Sequence, residues 1–544
     1  MQLKVTFHPL ERSVWVLPGT TLREAAQRVG IRLDTPCAGK GTCAKCRVRI
    51  LSGTTDPACS EHRLTHDELA RGVRLACVTR VTDNLDVEIP RDVLNGPFAS
   101  GQVLTTGETF SVVSDVHPPG AYGLAVDVGT TTIVGVLFDL ASGHEVATNA
   151  QLNAQIEVGD DVLSRIAAVR EEYAQLEHLQ QLVVSTLNRI FEQLYRTARC
   201  TPDHVVKIVL AGNTTMQQIV LAIDPSALGE LPFMPAFYET QRVTAGEIGL
   251  IAAKHAQVVI LPQIGGFVGG DTVAGLLAVN ALAIRHATLL VDIGTNGEIV
   301  LFANGQMFAA STAAGPAFEG ARIQQGMRAV DGAIDQVLWQ NNMMCYHVIG
   351  GMVPRGLCGS ALVDVVAILL HLGILDISGG FVDTETLPST LPALMRSRVT
   401  RYGFVIAVDA SGAPLVTLTQ NDVRELQLAS GAIRAGIETL LAKAGIAVKD
   451  LDAVLLAGGF GNYIRREHAM RIGLLPQLPV ARVKFIGNAS LTGAKRVLLS
   501  QREEAMAMDI QRRVQHVELA AEPCFSDLYM DAMIFPNDES GGTL

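Results

Sequence analysis

Charge is scarce in this 544-residue chain: Asp, Glu, Lys and Arg make up 18% of it, against 48% hydrophobic residues. The net charge is −11 and no run of Lys or Arg interrupts it, which argues against a general nucleic-acid binder. The opening residues, MQLKVTFHPL, lack a basic stretch followed by an apolar core, so no export signal is read there. The most membrane-like run, Ala361 to Leu375, is too short to span a bilayer and is broken by Asp364 and His371. Nine cysteines are present, but not with the even spread of a disulfide framework, because five of them fall within the first 77 residues. Clustered thiols without an export signal favour metal or redox chemistry. The expectation is a cytoplasmic protein with neither membrane nor nucleic-acid partner. Low charge together with 51 glycines favours packed α/β domains over disorder. The length allows roughly three or four of them.

The most informative stretch is Gly123 to Leu140, GLAVDVGTTTIVGVLFDL. Leu124 to Val128 reads as a buried strand carrying Asp127 near its end. Gly129, Thr130, Thr131 and Thr132 follow, then a second apolar run. Such a hairpin presents backbone N–H groups and hydroxyls at its tip, suited to phosphate oxygens, with an acid beside it that can hold hydrated Mg²⁺. The pattern returns about 165 residues later in LLVDIGTNGEIVLF, with Asp292, then Gly294, Thr295, Asn296 and Gly297. Two such hairpins point to a duplicated domain holding a nucleotide between its halves.

At the N-terminus, Leu3 to Phe7 and Ser13 to Leu17 alternate like paired strands, and Thr21 to Val29 reads as a short helix capped by Thr20 or Thr21. Cys37, Cys43 and Cys46 follow in C-x5-C-x2-C spacing on a loop of small residues, and Cys77 follows Cys46 after thirty intervening residues. Three loop thiolates and a distant fourth can wrap the irons of a [2Fe–2S] cluster. A zinc site, built from two short knuckles, fits this spacing poorly. Cys59 reads as a loop thiol. Val81 to Ile89 is the expected closing strand of a domain spanning residues 1–90. Residues 91–121, rich in Gly, Pro, Ser and Thr, read either as a swinging tether or as a segment packed along the next domain.

Further on, Asn213, Thr214 and Thr215 stand where a strand ends and a helix opens, a usual place for ligand phosphates. Asp271 stands at another helix start, as a cap or facing nucleotide or metal. Gly315, Pro316 and Glu319 sit in a small-residue turn. Cys358 precedes a long apolar helix, as a reactive or a buried structural thiol. Gly458, Gly459 and Gly461 follow a buried strand and remove side chains where an adenine-ribose could lie on the backbone. Gly487 to Ser490 open a further helix.

The N-terminal segment resembles the ferredoxins, nearer the adrenodoxin-like branch, and in that comparison the cluster ligands fall on Cys37, Cys43, Cys46 and Cys77. The two D-x-G-T hairpins and the A-G-G-F-G turn resemble the actin, sugar-kinase and heat-shock-chaperone ATPase superfamily. Joined in one chain, and with LAGNTTM, DIGTNGE, GLCGSAL, NDVRELQLASGAI and LAGGFGNYI, they are similar to the ATP-dependent reductive activators of corrinoid proteins. The resemblance implies an α/β chain: a β-grasp [2Fe–2S] ferredoxin domain, then a duplicated actin-like (ribonuclease H-like) ATPase fold over residues 122–500. Its halves would be about 122–285 and 286–500, with a C-terminal extension over 501–544. It implies one-electron reduction of an inactive Co(II) corrinoid protein of a methyltransferase system to Co(I), coupled to ATP and fed by a low-potential donor. A homodimer stays open. Asp127 and Asp292 would organise Mg²⁺ and water, with Glu298 orienting that water. Two rival readings remain: an ATP-driven activator of an acyl-CoA reductase or dehydratase, and a binding module switched by ATP without turnover.

Overall fold

In the computed structural model, strands β1 (Leu3–His8) and β2 (Arg12–Val16) pair antiparallel, with Leu3 opposite Val16 and Val5 opposite Val14. This register puts their apolar side chains on one buried face. The structure describes residues 2–29, 31, 33, 46–55, 64, 66–89, 114–159, 161–320, 322–458 and 463–537. Helix Leu22–Arg28 opens on a capping box: Thr21 Oγ1 accepts from the Glu24 N–H, and Glu24 Oε2 accepts from the Thr21 N–H. Strands β3 (Arg47–Ser52), β4 (Val73–Leu75) and β5 (Leu85–Glu88) complete a sheet in the order β2-β1-β5-β3-β4, with β5 parallel to β1. The closing strand is shorter than expected, because Val81 is held by the Thr20 carbonyl and the Gly19 N–H instead of by the ladder.

The next sheet begins with an antiparallel meander, β6 (Tyr122–Val128), β7 (Thr132–Asp139) and β8 (His144–Leu152). Strand β9 (Val205–Ala211) runs parallel to β6, β11 (Gln257–Ile260) runs parallel to β9, and β10 (Gln241–Thr244) closes the edge. Helix Ala174–Ala198 buries Leu179, Val183, Leu187, Ile190 and Leu194 in the core of this sheet. These residues form one apolar stripe at helical spacing.

A second meander follows: β12 (Thr288–Ile293), β13 (Gly297–Ala303) and β14 (Gln306–Thr312). An insertion then forms β15 (Ala333–Gln340), β16 (Met343–Val348), β17 (Gly356–Leu357), helix Gly359–His371, and a small sheet of β18 (Val399–Thr400), β19 (Gly403–Val408) and β20 (Pro414–Thr419). After it, β21 (Ala453–Ala457) runs parallel to β12, β22 (Val483–Gly487) runs parallel to β21, and β23 (Val514–His516) joins the edge at β14. The two sheets therefore share one order, β8-β7-β6-β9-β11 in the first and β14-β13-β12-β21-β22 in the second. That shared order is the duplication that the two hairpins announced.

The chain divides into two compact units. Leu104–Ile323, Leu375–Phe381 and Gln420–Leu544 hold both six-stranded sheets. Met1–Val103 groups with the inserted Gln324–Ile374 and Val382–Thr419. Within that unit Arg28 hydrogen-bonds Gln336 and pairs with Asp335 at 3.7 Å, and Asp335 also bonds His347. Burial pushes the Asp335 carboxyl up, but Arg28 and His347 outweigh it and hold the group below its usual range. Cys358 lies buried at the start of helix Gly359–His371, and burial, then Asp335, pushes its thiol up to about 12. That is a structural thiol, not a reactive one. Of the segment before β6, residues 114–121 are described. Asp115 donates its N–H to the Leu499 carbonyl and accepts from the Gln501 N–H, so this end is packed down. Among the described residues no helix is long and apolar enough to cross a membrane.

Candidate nucleotide cleft and cluster site

The tip of the β6–β7 hairpin is shaped from behind by buried polar side chains. A Cβ on Gly129 would sit 2.4 Å from the Thr132 carbonyl oxygen, so the turn closes only around glycine. Asn153 Nδ2 donates to the Gly129 carbonyl at 3.1 Å. Arg165, wholly buried, donates to the Thr130 carbonyl at 2.7 Å, and to Gly159 O and Gln155 Oε1. Asn213 caps helix Thr214–Val220 by accepting from the Met216 N–H, and its Nδ2 donates to Thr130 Oγ1 at 2.9 Å. Thr214 and Thr215 are buried in that helix, and Thr214 Oγ1 donates to the Gly265 carbonyl. These three residues thus stand behind the first tip. Thr132 opens β7, and Thr131 is the tip hydroxyl on the open side.

At the second tip, Gly294 donates its N–H to the Asn296 carbonyl and Gly297 begins β13, which places Thr295 at the turn. Thr131 Oγ1 and Thr295 Oγ1 lie 3.5 Å apart, so the two duplicated tips meet. Gly315, in left-handed backbone at φ +74°, lies in the turn that carries Glu319. Gly458 follows β21 at φ +89°, and a Cβ there would come within 2.5 Å of Asp292 Oδ1. Both facts demand glycine. Gly459 and Gly461 lie outside the described residues.

Asp127, Asp271, Asp292 and Glu298 face one another across this cleft. Asp292 and Glu298 are directly opposed on β12 and β13. Asn488 Nδ2 and Ser490 Oγ donate to the two oxygens of Asp127 at 2.8 and 2.9 Å. Burial nevertheless raises the Asp127 carboxyl above its ordinary value. Burial, and then the charges of Asp271 and Asp127, push Asp292 up to about 7. Asp271 is likewise raised to about 7, chiefly by burial, with Asp127 adding to it. Glu298 is raised by burial and by Asp271 and Asp292. Asp127, Asp271 and Asp292 each raise a neighbouring acid, so negative charge accumulates at this site. Among the described residues no three His, Cys, Asp or Glu side chains are close enough to hold a metal by themselves.

Asp271 is not the helix cap; Gly269 is, and Asp271 is the second residue of helix Gly270–Ala278. Asn488, Ser490, Arg165 and Glu319 were not among the expected site residues, yet each left a trace in the sequence. Asn488 opens a helix after a strand just as Asn213 does. Arg165 is a lone charge on the stripe Val162, Ile166, Val169.

In the ferredoxin-like part, Cys46 and Cys77 are both buried, and the Ala76 N–H donates to the Cys46 carbonyl at 2.9 Å. Pairing of β3 with β4, Arg47 opposite Leu75, brings these two thiols to one end of the sheet. Cys37, Cys43 and Cys59 lie outside the described residues. Two buried thiols side by side fit half of a four-thiolate cluster site.

A model of 2Fe-2S iron-sulfur cluster binding domains matches residues 5–82. The RACo middle region matches 122–282, and the C-terminal ASKHA domain of RACo matches 286–541. Corrinoid activation enzyme RamQ of Eubacterium limosum is 31% identical over 590 aligned positions, covering 98% of this chain and 99% of that protein. The [Co(II) methylated amine-specific corrinoid protein] reductase of Methanosarcina barkeri is 26% identical and covers 75% of this chain and 76% of its own. A solved reductive activator for corrinoid, iron-sulfur protein superposes with a TM-score of 0.70 at 30% identity, over 99% of both chains. The two duplicated sheets, the paired phosphate-type hairpins and the N-terminal ferredoxin module are thus one inherited arrangement, and the chain belongs to the family of ATP-dependent reductive activators of corrinoid proteins.

Proposed function

We propose that this protein restores Co(I) in a corrinoid protein of a methyltransferase system by passing one electron to its inactive Co(II), with ATP bound and hydrolysed at the paired hairpin tips. The carrying observation is that one chain joins a [2Fe–2S]-type ferredoxin module to a duplicated ATPase whose two threonine-bearing tips converge to 3.5 Å. Bound by the thiolates of Cys37, Cys43, Cys46 and Cys77, the cluster supplies one-electron chemistry at low potential. The step balances: one electron leaves the reduced module, the cobalt gains it, and an upstream low-potential donor replaces it.

The residues of the cleft divide the remaining work. Thr130 to Thr132 and Gly294 to Gly297 offer hydroxyls and backbone N–H groups to phosphate oxygens. Asn488 and Ser490 favour the ionised form of Asp127, a carboxylate that would help to hold Mg²⁺, whose charge would offset that of the phosphates. Asp292 lies under Gly458, where the glycine turn would receive the adenosine. Glu298, which pairs with Asp292 across β12 and β13, would orient the attacking water. ATP assists by favouring the state of the complex in which Co(II) accepts an electron more readily. Each 59 mV of uphill gap otherwise costs about tenfold for one electron.

The test mixes the anaerobically reduced protein with a Co(II) corrinoid protein and follows the Co(I) absorbance. The expected result is Co(I) with ATP and none without nucleotide; a non-hydrolysable analogue separates binding from hydrolysis. Absence of Co(I) from every corrinoid partner, while the protein stays reduced and binds ATP, overturns the reading.

A further inference from the structure

Glu319 closes a short 3-10 turn, Pro316–Glu319, that follows β14. Its two carboxylate oxygens accept one hydroxyl from each hairpin tip: Thr131 Oγ1 donates to Oε2 at 2.7 Å, and Thr295 Oγ1 donates to Oε1. Two converging O–H donors form a seat for an anion, and a carboxylate of this chain fills it. Each hydroxyl carries one proton, so neither threonine can donate to Glu319 and to a phosphate at the same time.

We propose that Glu319 stands in for the terminal phosphate of ATP. It ties the two tips together when no triphosphate is present, yields to the terminal phosphate, and stays seated beside a diphosphate. The inference rests on the reading of the two tips as phosphate loops. Two further observations support it. Gly315 and Gly320, on either side of the turn, are left-handed at φ +74° and +80°, a backbone that can rotate with little steric resistance. A Cβ built on Gly315 would meet nothing within 4 Å among the described residues, so none of these blocks the turn there.

Such a displacement would make the segment a sensor of nucleotide state. The chain leaves this unit after Ile323, four residues past Glu319, to enter the inserted Gln324–Ile374. A ligand shifts an equilibrium only by its differential affinity for the two states. Here the difference between ATP and ADP is competition for two hydroxyls.

The test is calorimetric titration of the full chain with Mg²⁺ and either ADP or a non-hydrolysable ATP analogue, for the unaltered protein, Glu319→Ala and Glu319→Gln. Removing the competitor should tighten the analogue about tenfold in Glu319→Ala, and leave ADP within about twofold. Glu319→Gln, uncharged but the same shape, should fall between. Equal changes for both nucleotides, or none for either, overturn the inference as a merely structural effect. Weaker binding of the analogue alone also overturns it, by making Glu319 a contact of the bound triphosphate. If the unaltered protein binds neither nucleotide, the phosphate-loop reading itself falls first.

Discussion

Substituting Asp292 by Asn should stabilise the nucleotide-free protein while destroying its nucleotide chemistry. In the folded chain the Asp292 carboxyl is raised from its ordinary 3.8 to about 7. Between those two values the unfolded chain has lost a proton that the native chain keeps, so stability falls as pH rises through this window. Above about pH 7 the penalty is complete. A three-unit shift corresponds to about 4 kcal/mol, an upper bound because the group is partly open to water and Asp127 and Asp271 share the repulsion. Taking half of it, Asp292→Asn should gain about 2 kcal/mol at pH 8, a rise of roughly 2–3 °C in the unfolding midpoint for a unit of this size. At pH 4 the gain should vanish. The assay is thermal unfolding at the two pH values, without Mg²⁺ or nucleotide, alongside ATP turnover at pH 8. The same shift at both pH values, or a loss at pH 8, would refute the claim that burial, with Asp271 and Asp127 adding to it, holds this carboxyl above its ordinary value.

Other perturbations address separate parts of the molecule. Cys46→Ser and Cys77→Ser should each abolish the visible absorbance of a [2Fe–2S] cluster and Co(I) formation, with ATP binding unchanged by titration. Asn488→Ala or Ser490→Ala removes a hydrogen bond to ionised Asp127, so the acid limb of the ATP-turnover profile should move up by about one pH unit. Arg165→Met strips the Thr130, Gln155 and Gly159 acceptors of their buried donor and should cost about 3 kcal/mol in denaturant unfolding. Cys358, with its thiol pushed up to about 12, should resist alkylation at pH 8 in the native protein and react only after unfolding.

The parts that were legible are those whose signal is local. A strand, a D-x-G-T turn and a returning strand lie within some fifteen residues, and so do the three loop cysteines. The apolar stripe of helix 174–198 is a periodicity that any tertiary context would keep. What stayed hidden depends on pairs far apart along the chain. Asp127 receives its two donors from 361 and 363 residues away, and Glu319 reaches Thr131 across 188. Asp271, half-read as a cap, became part of the acid cluster only once helix Gly270–Ala278 lay beside the first tip.

The ferredoxin module, the duplicated hairpins and the membership of one family can be read along the chain, because turn chemistry, thiol spacing and hydrophobic period are properties of neighbours. The grouping of residues 324–374 and 382–419 with the first 103 is a matter of packing. The same holds for the pairing of Asp335 with Arg28 and for the carboxylate seated between the two threonines. These follow from which surfaces bury one another and which polar groups then need partners, and no local pattern records that choice.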